Sequence, residues 1–327
     1  MIFTRMKIIL ITPALPNSRT GNRVTATRWK TILTELGHKV TVKASCDDIT
    51  QISKKNDVMI ALHAWRSADS INYFKKQFPQ KPLIVALTGT DLYKFINTHP
   101  KPTLRSIKQA DALITLHDLA YLAIPKSAHK KVHVIYQSAE FIKRKAKRNK
   151  RYFDICVIGH LREEKDPMRT AYAARKLPDD SRIRVLHFGK AHTSVWSERV
   201  EKEMQANVRY KWHGEVPHWK INQLYANANL MVLSSRMEGG ANVISECCAA
   251  GLPVVASKID GSIGLLGKTY PGYYPYGDTK SLRELLIKVE TDAEYLLKLT
   301  NACLSKAGLF TYKNEINNLN NLFNSFL

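Results

Sequence analysis

Two carboxylates, Glu238 and Glu246, bracket a glycine-bearing turn, Gly239-Gly240-Ala241-Asn242. Glycines let backbone N–H groups approach a ligand closely, and the N-terminus of the helix that follows adds partial positive charge. Anion-binding amides flanked by two hydroxyl-accepting carboxylates suit a sugar nucleotide: diphosphate in the middle, sugar at one end, ribose at the other. An ordinary strand–turn–helix with two solvated glutamates shares that outline. The glycines and the tail Ala249-Ala250-Gly251-Leu252-Pro253-Val254-Val255-Ala256 favour the ligand site.

A second cluster points the same way. In Gly159-His160-Leu161-Arg162-Glu163-Glu164-Lys165-Asp166-Pro167, Arg162 and Lys165 lie on a tight turn before a helix, where two cations can grip one pyrophosphate. No Asp-x-Asp occurs in the chain, so no metal clamp on a diphosphate is indicated. Fixed cations and the helix N-terminus are then left to stabilise a departing phosphate.

The elements that position these residues are legible as alternating strands and helices. Lys7–Thr12, His38–Val42, Asp57–His63, Pro82–Leu87 and Ala112–Leu116 read as buried strands. Helices are expected from Gly21 to a stop at Gly37 and over Ala68–Phe78. The pattern restarts with strands at Phe153–Ile158, Ile183–Phe188 and Leu230–Leu233, and helices at Pro167–Leu177, Val195–Gln205 and Lys220–Asn227. Such alternation predicts two doubly wound parallel α/β halves with ligands at the strand C-termini.

The first half carries its own candidate residues at strand ends. Gly21, Asn22 and Arg23 place flexible backbone, an amide and a cation at a helix N-terminus, an environment for an anion. Ala61-Leu62-His63-Ala64-Trp65-Arg66-Ser67 and Ala86-Leu87-Thr88-Gly89-Thr90-Asp91-Leu92-Tyr93 end two further strands. His63 is either a buried imidazole or a group acting on a ligand.

The Glu238–Glu246 segment resembles the E-x7-E signature of retaining GT-B glycosyltransferases, and Gly159–Pro167 resembles their Gly-x-Leu-x-x-x-Lys loop. The resemblance implies a GT-B fold of two Rossmann-like domains facing a central cleft. It implies that Glu238 contacts the donor sugar, that Glu246 holds the ribose, and that Arg162 and Lys165 neutralise the diphosphate. Gly159, Gly239, Gly240, Ala241 and Asn242 then line the donor site, with Val216, in Tyr210–Pro217, beside the base. Family frequency favours uridine. Residues 1–142 form the acceptor domain, 143–151 a basic linker and 152–308 the nucleotide-sugar domain; 309–327 returns to pack on the first.

Thr88-Gly89-Thr90-Asp91 is similar to the family's His-Gly-Thr-Asp segment, with Thr88 in the histidine position. An alcohol acceptor benefits from a base, whereas an ionised nucleophile does not. Gly21–Ala26, Ala61–Ala64, Val85–Tyr93 and Val134–Ala139 resemble one subgroup, the selenosugar synthases (SenB) of selenoneine biosynthesis. That resemblance implies transfer of a UDP-sugar, UDP-GlcNAc or UDP-glucose, to selenophosphate. Gly21, Asn22, Arg23, His63, Arg66, Thr88 and Gly89 become the acceptor residues, and coupling to a selenophosphate synthetase is expected. Two other readings stand beside it: a transferase acting on a lipid or sugar hydroxyl, and a non-catalytic binder of RNA or anionic lipid.

Composition bounds these readings. The chain has 327 residues, 44% hydrophobic, enough for two cores. No run reaches the ~20 apolar residues of a membrane span, and no signal peptide or stable membrane association is expected. Five cysteines, Cys46, Cys156, Cys247, Cys248 and Cys303, show no metal-ligand spacing, and their odd number argues against a closed disulfide set. A reduced, cytoplasmic protein is expected. Fifty Lys and Arg against 28 Asp and Glu leave +22, part of it in Lys143–Arg151. That run lacks interleaved aromatics for base stacking, so it reads as a solvated linker and no nucleic-acid partner is expected.

Overall fold

Ile8, Ile9, Leu10 and Ile11 are all buried, so the strand they form must be covered on both faces. The computed structural model describes residues 5–14, 21–44, 55–142 and 151–326. It divides the chain into two units, Met1–Gln137 with Tyr312–Leu327, and Ser138–Thr311. The division falls at Gln137, five residues before the expected boundary at 142. Of the basic run Lys143–Arg151, residues 143–150 lie outside the described residues, as does Cys46. Among the described residues, no helix is long and apolar enough to cross a membrane.

In the first unit, β1 (Lys7–Ile11), β2 (Lys39–Lys43), β3 (Val58–Leu62), β4 (Leu83–Ala86), β5 (Ala112–Thr115) and β6 (Val132–Val134) form one parallel sheet, ordered β2-β1-β3-β4-β5-β6. Alternate residues of β1 serve opposite faces. Ile8 and Leu10 pack with Trp29, Ile32 and Leu33 of the Gly21–Glu35 helix and with Leu319, Leu322 and Phe323 of the Tyr312–Asn324 helix. Ile9 and Ile11 pack with Ile71 and Phe74 of Ala68–Gln77 and Ile107 of Pro100–Gln109. The order reverses between β1 and β3, so the loop after β3 leaves from the topological switch point.

The second unit repeats the plan. β7 (Phe153–Ile158), β8 (Ile183–Phe188), β9 (Tyr210–Trp212), β10 (Leu230–Leu233), β11 (Val254–Ser257) and β12 (Tyr273–Tyr274) are parallel, ordered β9-β8-β7-β10-β11-β12. The switch point lies between β7 and β10. Both sheets are the doubly wound α/β kind the alternation predicts.

One buried polar contact fastens the C-terminal helix within the first unit. Glu315 is fully buried and accepts from Trp29 Nε1 at 2.9 Å, with Arg28 Nε at 3.6 Å. Removing the acceptor leaves the buried indole N–H without its acceptor, which costs about 1–3 kcal/mol. Glu315→Leu is therefore expected to lower the stability of the first unit by that amount, read as a shift in its denaturation midpoint.

Candidate functional site

Because β7 pairs with β10, the loops leaving their C-terminal ends emerge side by side. Hydrogen bonds knit them together. Ser234 Oγ donates to the carbonyls of Asp166 (2.8 Å) and Lys165 (3.1 Å), and the Arg236 N–H donates to Glu164 O at 2.9 Å. Lys165 Nζ lies 2.5 Å from Glu238 Oε1, which also accepts from Ser235 Oγ at 2.5 Å. Glu238 is 8% exposed, so this ion pair matches a largely buried carboxylate. A small pocket at the same place is lined by Gly159, Lys165, His187, Ser234 and Ser235.

Backbone geometry sets up the pair. Asp166 has φ +42°, a left-handed conformation that turns the chain after Lys165. Arg169 Nε holds Asp166 at 2.7 Å, and its Nη1 is anchored on Thr279 Oγ1 at 2.6 Å. Gly240 has φ +154°, which glycine alone adopts readily. Gly261 passes so close to Glu238 that a Cβ there would lie 2.2 Å from the Glu238 carbonyl oxygen. Arg162 sits at the start of the same turn. Its Nε is buried and has no hydrogen-bond partner among the described residues. A buried guanidinium N–H in that state marks a place for an anion.

His187 supports this loop from behind. A carbonyl only accepts, so the 3.1 Å contact to Gly159 O puts the proton on Nε2, and Nδ1 accepts from the Tyr210 hydroxyl at 2.8 Å. Burial pushes the His187 pKa down to about 4, consistent with a neutral ring.

Glu246 lies in the Asn242–Ala250 helix with partners on both oxygens. Tyr225 donates to Oε2 at 2.5 Å, and His218 Nε2 stands 3.7 Å from Oε1. The hydrogen bond to Glu246 raises the His218 pKa against the opposing effect of burial. Gly251 ends the helix at φ +67°. Val216 is half-buried in the loop after β9, two residues before His218. Glu238, Lys165, Arg162 and Gly159 thus cluster in the two knitted loops, while Glu246 sits one helix further on. Ser235, Gly261, His187, Tyr225 and His218 were not singled out from sequence. His187, Gly261, Tyr225 and His218 act from other elements; Ser235, three residues before Glu238, and His218, beside Val216, lie close to expected site residues.

In the first unit, His63 and Thr88 come together through Asp91. Asp91 is 1% exposed and accepts from the N–H groups of Ala64, Trp65 and Thr88, each at 3.0 Å, and from Thr88 Oγ1 at 3.0 Å. His63 Nδ1 is 2.7 Å from Asp91 Oδ1, and its Nε2 is 3.1 Å from Thr90 Oγ1. Burial pushes the Asp91 pKa up, but the hydrogen bond and charge of His63 and the backbone donors outweigh it, for a net lowering. His63 is 2% exposed, and its Nε2 faces the half-buried Thr90 hydroxyl. Arg66 is exposed and Gly89 half-buried. Gly21, Asn22 and Arg23 open the first helix, which Thr25 ties to Gln137 through a 2.6 Å hydrogen bond.

Comparison with known proteins places this geometry. Residues 138–304 match the family described as Glycosyl transferases group 1. Among solved structures, HepE of Anabaena in complex with UDP and glucose is 16% identical, with a TM-score of 0.78 over 98% of this chain and 100% of that one. Sucrose-phosphate synthase from Thermosynechococcus elongatus is 15% identical, with a TM-score of 0.82 over 98% and 99%. A glycosyltransferase from Rickettsia africae is 14% identical, with a TM-score of 0.78 over 99% of both chains. No curated protein matches at a significant level. These likenesses establish the fold, that of the GT-B glycosyltransferases.

The neutral His187 ring gives a pH signature. The unfolded chain takes up a proton near 6.5, whereas the native ring does so near 4. Its contribution to stability is therefore complete above pH 6.5 and lost as pH falls from there towards 4, about 3 kcal/mol in all. Denaturant titrations at pH 7 and pH 4 should show that loss in the native chain and a smaller one in His187→Gln.

Proposed function

The chain belongs to the group 1 glycosyl transferases, and from that premise we propose that it joins selenophosphate to the anomeric carbon of a UDP-sugar, giving a 1-selenosugar. The observation that carries the donor half is the knitted pair of loops: Glu238 held by Lys165 and Ser235, with Arg162 Nε, unpartnered among the described residues, on the same turn. HepE, a structural neighbour, binds UDP and glucose, which supports a UDP-sugar, UDP-GlcNAc or UDP-glucose, here. On this reading Glu238 orients the sugar, Glu246 holds the ribose, and Arg162 and Lys165 stabilise UDP as it leaves, without a metal. Gly159, Val216, Gly239, Gly240, Ala241 and Asn242 complete the donor contacts.

The acceptor half rests on charge and on the residue at position 88. Selenophosphate is a small, multiply charged anion with a soft, ionised selenium, so it needs cations and N–H or O–H donors more than a base. Asn22, Arg23, Arg66, Thr88 and Gly89 supply these. Selenium attacks C1, the C1–O bond to UDP breaks with its electrons leaving on UDP, and water then cleaves P–Se to release phosphate. The substrate would come from a selenophosphate synthetase in the same reducing, cytoplasmic compartment. A second reading, transfer to a lipid or sugar hydroxyl, is favoured by one observation, the His63–Asp91 pair with the geometry of an oriented base.

The test is anaerobic incubation with UDP-GlcNAc and selenophosphate, with mass spectrometry for a hexosamine bearing the selenium isotope pattern. Product and UDP should both appear, and both should be lost in Glu238→Ala. UDP-GlcNAc binding without a selenium product would turn the acceptor assignment to hydroxyls. Gly261→Ala, which forces Glu238 aside, should lower turnover on the order of a hundredfold while UDP binding persists.

A further inference from the structure

The His218–Asn227 helix sends two side chains to one carboxylate. His218 and Tyr225 lie two helical turns apart and so share one stripe of that helix. At its exposed end, His218 Nε2 stands 3.7 Å from Glu246 Oε1, beyond hydrogen-bond reach. At its buried end, the Tyr225 hydroxyl meets Glu246 Oε2 at 2.5 Å. The two contacts are not equivalent. The His218 side chain is 61% exposed and can swing away, whereas Tyr225 is fully buried and its ring has one place to lie. Burial and the Glu246 charge push the Tyr225 pKa well up, so the phenol keeps its proton and donates it.

That single donated proton decides what Glu246 has left to offer. A carboxylate carries about four lone-pair sites, two on each oxygen. Tyr225 occupies one on Oε2, and among the described residues no other hydrogen bond to Glu246 is made. Both sites on Oε1 and one on Oε2 stay open, on a side chain that is 22% exposed. The helix beneath is fixed independently, by the buried Ile244, Cys247 and Cys248. The phenol therefore acts on the carboxylate plane, whose terminal torsion is otherwise broad. With that plane held, Oε1 and Oε2 are two adjacent acceptors in one orientation. Such a pair matches two adjacent hydroxyls, and a ligand with only one leaves half of it unused. Without the phenol the plane turns, and the cost of fixing it falls on the ligand.

We propose that Tyr225 is a positioning residue that presets Glu246 to read the 2′,3′-diol of a ribose, so that a fully buried phenol sets how strongly the chain prefers a ribonucleotide to its 2′-deoxy counterpart. This rests on the donor reading given above, in which Glu246 holds the ribose. A phenol that only supported the packing of the two helices would weaken both nucleotides alike.

The test measures, by calorimetry on the full chain, the binding of UDP and of 2′-deoxy-UDP to the native protein, Tyr225→Phe, Glu246→Gln and the double variant. Phenylalanine keeps the buried ring and leaves Oε2 of the part-exposed Glu246 to water. The native chain should bind UDP at least about tenfold more tightly than 2′-deoxy-UDP, as expected for a bond to a charged group. In Tyr225→Phe, UDP affinity should fall roughly five- to twentyfold while 2′-deoxy-UDP stays within about twofold, which also shows that the site is still folded. Glu246→Gln should bring the two nucleotides close to equal, and adding Tyr225→Phe to it should change UDP affinity by less than about twofold, because both act through one carboxylate. An unchanged preference in Tyr225→Phe, an equal loss of both nucleotides, or an additive double variant overturns the proposal. If the native chain binds no UDP, the uridine donor reading fails, and ADP against 2′-deoxy-ADP decides the rest. A preference for ADP that falls in Tyr225→Phe sustains the preset diol reader; equal binding of the two, or none, overturns it.

Discussion

A carboxylate withdrawn from water must be matched by a cation and by hydrogen-bond donors, or it loses its charge. Glu238 is 8% exposed, and much of the second unit follows from bringing it a cation and a hydroxyl donor. Its cation, Lys165, comes from the loop after β7, so β7 and β10 have to be neighbours. That adjacency is available only at the switch point of a doubly wound sheet. The Lys165 loop must then turn sharply, which it does at Asp166, and the Asp260–Leu266 helix must approach within contact of Glu238, which only Gly261 permits. In the proposed reaction, an arriving diphosphate would share Lys165 with Glu238 rather than meet a free ammonium. Arg162, whose Nε has no such partner among the described residues, is the less committed cation.

How much of this was legible in the sequence depends on distance along the chain. Glu238, Glu246, Arg162 and Lys165 announce themselves through local spacing, and the strands β1, β3, β4, β7, β8 and β10 through apolar runs of the right length. β6, β9 and β12 are two or three residues long and carry no periodic signal. The Pro100–Gln109 helix is mostly polar with two prolines in its first turn, so its amphipathic face is hard to see. The support of the site was equally hidden. Ser235 lies three residues before Glu238, but its bond to Glu238 depends on a loop shape. Tyr225 reaches Glu246 from a different helix. Asp91 lay within a segment already singled out, yet its role arises from the β3–β4 register, which no local pattern encodes.

The two units also share a device. Among the described residues, only His63 and Asp166 are non-glycine residues with positive φ, and each lies in a loop following a strand at the switch point of its own sheet. Such conformations persist only where the surroundings over-determine them, at about 1–3 kcal/mol each. Both are over-determined by close side-chain contacts: Asp91 for His63 and Arg169 for Asp166. In each case the strained residue lies beside a polar group facing out from the loop, Thr90 against His63 Nε2 in one unit and Lys165 before Asp166 in the other.

The return of the Tyr312–Asn324 helix to the first unit has a consequence for the order in which a ribosome makes this chain. Residues 138–311 complete the second unit before that helix exists. At about 5–20 residues per second, the first sheet waits on the order of ten to thirty-five seconds for its missing cover. Throughout that interval the Trp29 indole has no Glu315, and the face formed by Ile8, Leu10 and Leu33 lacks Leu319, Leu322 and Phe323. The unit begun first is therefore the unit finished last, and during synthesis its bare apolar face is a ready target for chaperones.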